Sequence, residues 1–122
     1  MNKLFAEWKI SDEVSLKLKL RARDIIVLEK KLGESPMNIF MSASNGSVPK
    51  LTDMLVMIQA ASQKFEHGID SEKVLDLYEE YTDNGGSLVG LFSVIMDLLK
   101  VSGIIPNDEA NEENKEKDEN LI

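Results

Sequence analysis

His67 is the only histidine of the chain, and no serine, acid or second histidine stands near it at the spacing of a catalytic or metal motif. Its imidazole has nothing to orient it or to exchange a proton with, and it reads as a surface residue. Asp76, Glu79, Glu80 and Asp83 gather carboxylates on one flank of a helical stretch, and Asp83-Asn84-Gly85-Gly86 superficially resembles a calcium loop. Such a loop needs D-x-[DN]-x-[DN]-G with a distant Glu, a spacing this segment does not meet. A solvated acidic face fits the pattern, with a weak divalent-ion site as the alternative. Gly85-Gly86-Ser87 could offer backbone donors to a phosphate, but the preceding strand and following lysine of a phosphate-binding loop are missing, so a tight inter-helix turn is the simpler reading. With no cysteine in the chain, disulfides and thiolate metal sites are excluded. No catalytic residue, cofactor or metal ligand is assigned.

The elements that must position any functional surface are written in the apolar spacing. Val14, Leu16, Leu18 and Leu20 alternate with Ser15, Lys17 and Lys19, after which Ala22, Ile25, Leu28 and Leu32 recur at helical spacing up to Gly33. Leu4, Ala6, Trp8 and Ile10 alternate as well, so residues 3–20 are predicted to form a hairpin turning at Ser11-Asp12-Glu13, without Asn-Gly or Asp-Gly. A lone hairpin is marginal in water, so this one must pack on the helices, with Trp8 as a core anchor.

Pro36 opens a short helix through Met41, and Ser42 to Ser47 read as a loop. Pro49 sits at the first turn of a helix in which Leu51, Leu55, Ile58, Ala61 and Phe65 repeat, while Met54, Val56, Met57 and Ala60 make most of the remaining circumference apolar. Such a helix belongs at the centre of a bundle or in an interface. Asp70 is placed to cap the next helix, with Ile69 stapling against Val74 and Val74, Leu77, Tyr78 and Tyr81 facing inward. Ser87 caps the last helix, along which Leu88, Phe92, Ile95 and Leu99 align before Gly103.

At 43% hydrophobic and 30% charged over 122 residues, the chain supports one core and is too short for two ordinary domains. The expected fold class is α+β, mainly α: an N-terminal β-hairpin and a compact bundle of four to five helices over residues 1–105, followed by a disordered acidic tail over 106–122. The net charge of −8 is unevenly spread, since residues 106–122 hold seven acids against two lysines. The body is therefore close to neutral and lacks the basic stripe that phosphate backbones require, so no nucleic acid is expected as a partner. No membrane is expected either. The apolar run from Leu88 to Leu99 is interrupted by Ser93 and Asp97 and falls short of the roughly 20 residues a membrane helix needs. The opening MNKLFAEWKI lacks the apolar core of an export signal, so a soluble cytoplasmic protein is expected.

The order of a strand, LRARDIIVLEKKLGESPMNIF, a loop, VPKLTDMLVMIQAA, a helix ending in YEEYTDNGG, and LLKVSGIIP resembles the tail assembly chaperones of long-tailed phages and related prophages of Gram-positive bacteria. The likeness covers roughly Val14 to Pro106, and its most specific pieces are LEKKLG with the following Pro36, the PKLTDML helix start and the final SG before two apolar residues and Pro106. Members of that family often open the first helix on a hydroxyl residue, where this chain has Arg21-Ala22.

The resemblance implies a non-enzymatic role: binding the long, helix-rich tape measure protein during tail building, keeping it soluble and helping recruit tail tube subunits, with absence from the finished virion. Many members are also made in a longer, frameshifted form that contacts the tail tube protein. An adaptable apolar groove is what such a client needs, and thioethers suit one. The apolar surplus selects Met54, Met57 and Ile58 together with Phe92 and Met96 as candidate partner-binding residues, although core packing competes for the methionines. A homo-oligomer is possible, since an apolar central helix also serves as a self-association seam. The runner-up is an acidic phage-encoded interaction or inhibitor protein acting on a basic host surface. A small enzyme would need a close acid–base pair in a pocket.

Overall fold

In the computed structural model, which describes residues 4–46 and 48–106, the alternation at the start of the chain becomes β1 (Ala6–Lys9) and β2 (Ser15–Leu18). They pair antiparallel with Ala6 opposite Leu18 and Trp8 opposite Leu16, all four buried, while Glu7 faces Lys17 on the solvent side. The turn has no glycine. Instead the Ser11 hydroxyl accepts from the backbone N–H groups of Glu13 and Val14 at 3.3 and 3.1 Å, and Ile10 donates to the Val14 carbonyl at 2.9 Å. Trp8 is 0% exposed, and its Nε1–H has no hydrogen-bond partner among the described residues. That omission costs about 1–3 kcal/mol, set against the burial of the whole indole.

Five helices follow among the described residues: α1 (Ala22–Leu32), α2 (Pro36–Ser44), α3 (Leu51–Ser62), α4 (Ser71–Asp83) and α5 (Leu88–Val101). The hairpin's buried face lies on the helices, β1 against α5 and β2 against α3. Two long-range bonds fix it there, from Lys19 N–H to the Ala61 carbonyl at 3.0 Å and from Leu20 N–H to the Ser102 hydroxyl at 2.9 Å.

At the start of α1 no hydroxyl is needed. Asp24, in the first turn and 7% exposed, accepts from the Arg21 backbone N–H at 3.0 Å and from its guanidinium at 2.8 and 3.1 Å. Burial pushes the Asp24 carboxyl up, but the hydrogen bonds and charge of Arg21 outweigh it and leave the pKa below the ordinary value. Gly33 and Gly103 stop their helices in the left-handed region, φ 75° and 78°. After α5 the N–H groups of Gly103 and Ile104 close on the carbonyls of Lys100 and Leu99. Ser35, Asp70 and Ser87 cap α2, α4 and α5 by accepting from Asn38, Lys73 and Gly90.

Several expectations shift. α2 runs through Ser44, so the predicted loop shortens. Lys50, not Pro49, is the boundary residue of α3, and the helix ends at Ser62, leaving Phe65 in the following turn. On α5 the buried line is Leu91, Ile95, Leu98 and Leu99, with Leu88 exposed, because that helix meets both β1 and α3. The expected disorder of the acidic tail concerns residues outside the described ones.

Candidate functional site

α3 is the helix whose polarity poses the functional question, being apolar nearly all round. Its inward side is Met54, Met57 and Ile58, each 0% exposed, with Ala60 and Ala61. Its other apolar side, Leu51, Leu55 and Val56, is only half-buried and faces the start of α4, where Ser71, Glu72 and Leu75 complete a groove of about 370 Å³. Leu75 is 40% exposed, off the inward stripe of Val74 and Leu77. The lining is mostly aliphatic, with the Thr52 and Ser71 hydroxyls and the Glu72 carboxylate at its margin.

A pair of amides ties the end of α3 to the segment that leads into α4. Gln59 on α3 and Gln63, the residue just after the helix, both donate to the Ile69 carbonyl, at 3.1 and 2.8 Å, just ahead of the Asp70 cap of α4. Lys31 at the end of α1 donates to the Gln59 Oε1 at 3.2 Å, which ties a third helix to the same side chain. Polar bonds as well as packing thus join α1, α3 and the start of α4, and beside them lies a groove that no side chain of the described residues fills.

The sequence-derived candidates separate. Met54, Met57 and Ile58 belong to the core and cannot meet a partner while the domain is folded, which removes them from the groove. Phe92 and Met96 are half-buried on α5, on the edge that also carries the exposed Val89, and neither lines the α3/α4 groove. Two thioethers and an isoleucine suit the core because they fill its irregular interior, whereas Leu51 and Leu55, which share the helical repeat of Ile58 and Ala61, are half-buried and line the groove. Leu75 was not singled out by the spacing. Its signal was available, as an aliphatic residue off the inward stripe of an otherwise charged helix face.

A second, polar recess of about 290 Å³ lies between the hairpin turn and the α4–α5 turn, lined by Ser11, Asp12, Tyr81 and Asn84 among others. Among the described residues no group of three or more His, Cys, Asp or Glu is placed to hold a metal ion. Asp76, Glu79, Glu80 and Asp83 are exposed, as expected of a solvated flank, and His67 is exposed in the turn before α4. No described helix is long and apolar enough to cross a membrane. Among the described residues the geometry offers an aliphatic groove beside a helix pair joined by polar bonds.

No curated protein and no solved structure matches the chain. Residues 6–122 match a family described as a family of unknown function, DUF6096, and the chain belongs to that family.

Proposed function

We propose that the chain is a non-enzymatic tail assembly chaperone that binds a helix-rich tape measure protein, keeps it soluble while a phage tail is built and helps recruit tail tube subunits in the host cytoplasm, without remaining in the virion. The observation that carries this reading is the α3/α4 groove, where Leu51, Leu55, Val56 and Leu75 stay partly exposed on otherwise well-packed helices. An amphipathic client helix would lay its apolar anchors there. The segments of the family resemblance also fall on the elements that build the domain, LEKKLG at the end of α1, PKLTDML at the start of α3 and the SG after α5.

The test is co-expression with the tape measure protein of the same phage or prophage, followed by size-exclusion chromatography of the soluble fraction. Co-elution is expected, with the client insoluble alone and the complex lost for Leu55→Lys with Leu75→Lys. A client that is soluble alone and ignores this protein overturns the reading.

A second reading, an acidic protein occupying a basic host surface, draws on α4, whose Glu72, Asp76, Glu79, Glu80 and Asp83 are all exposed on a folded helix. It requires binding that is lost on reversing those charges and kept by the groove variants.

A further inference from the structure

Two surfaces that nothing among the described residues covers are complementary to each other. One is the α3/α4 groove, aliphatic along its length and bordered by Glu72, with Asp76 and Glu79 following about one and two turns further along α4 on its exposed side. The other is the outer face of α1, where Arg23, Ile26, Val27 and Lys30 fall at i, i+3, i+4 and i+7 and form one stripe. Ile26 and Val27 are 55% and 48% exposed, although the opposite side of the helix buries Asp24 and Leu28. Among the described residues the side chains of Arg23 and Lys30 have neither an ion-pair nor a hydrogen-bond partner.

We propose that the groove of one copy receives the α1 face of a second copy, Ile26 and Val27 entering the aliphatic trough while Arg23 and Lys30 meet the carboxylates of α4. Sign and spacing select this occupant. Arg23 and Lys30 are seven residues apart, as are Glu72 and Glu79, so on two helices laid side by side each pair spans about 10 Å and the charges come into register. Within one chain the contact cannot form, because α1 packs on α3 through its other side. Burial of the two aliphatic side chains supplies the attraction. The rim charges, individually weak and screened by salt, favour this face over the acidic and neutral faces of the chain and set the register along the groove. The contact uses the groove assigned above to a client helix, so a second copy and a client exclude one another there, while the test below concerns the protein alone.

Sedimentation velocity of the full chain over a wide range of concentration, at low and high salt, tests it. The sedimentation coefficient is expected to rise with concentration and to rise less in high salt. Arg23→Glu with Lys30→Glu, and separately Glu72→Lys with Glu79→Lys, should each weaken association about tenfold or more, a change of about 1.4 kcal/mol. All four positions are exposed, so unchanged circular dichroism is expected of both variants. Mixing the two variants should restore association, since acid then faces base again at every contact. A chain that stays monomeric at every concentration, variants that associate as the starting protein does, or a mixture that fails to recover association would each overturn the proposal.

Discussion

Gly86 and Gly90 are both constrained by one side chain, Tyr81, whose hydroxyl donates to the Ser87 carbonyl at 3.1 Å and whose ring meets Trp8 edge-on at 5.5 Å between centroids. A Cβ on Gly86 would overlap the ring carbons of Tyr81, and one on Gly90 would overlap its hydroxyl. Gly86→Ala and Gly90→Ala are each expected to destabilise by about 1–3 kcal/mol in urea unfolding, as overpacking does. Tyr81→Phe should then rescue Gly90→Ala but not Gly86→Ala, a non-additivity that a double-mutant cycle resolves. Asp24 gives a pH signature at the same scale. Its folded pKa is depressed by Arg21, so the stability it adds is fully present above the ordinary carboxylate pKa of about 3.9 and is lost as pH falls through the lower folded value. Denaturant midpoints of the unaltered chain should drop across that acid range, and Asp24→Asn should lower stability at pH 7 while flattening the decline.

At the scale of elements, α3 divides into a side that holds the fold and a side that does not. Met54→Ala or Met57→Ala should cost about 2–5 kcal/mol by cavity formation, whereas Leu55→Ala or Leu75→Ala should cost about 1 kcal/mol or less and act on partner binding instead. Thermal melts together with a binding assay on the four variants separate the two sides. Element type was legible wherever the signal was local. Asp70, Ser87, Gly33 and Gly103 act on backbone groups a few residues away, so their residue types alone announced the helix ends. The faces of α3 were not legible, because periodicity identifies a buried side only by contrast with a polar one, and the apolar residues here leave too little contrast. What distinguishes its faces is long-range, the packing of α3 against α1, α4, α5 and β2, and no spacing rule reveals such partners.

For the whole molecule, charge is distributed by segment. Removing residues 107–122 takes away seven acids and two lysines, so the truncated protein is expected to keep its thermal midpoint while precipitating at lower concentration near neutral pH, because less net charge opposes association. Static light scattering beside a melting curve checks both. The hairpin completes the domain by lying across α3 and α5, and it does so around the chain's one tryptophan, sealed from solvent. Trp8 is thereby an intrinsic fluorophore positioned at the joint between strands and helices. Its emission should be blue-shifted in the native protein, and a variant that lifts the hairpin off the bundle would shift it to the red while the helical dichroism stays constant, so detachment of the strands can be watched separately from melting of the helices, without a label.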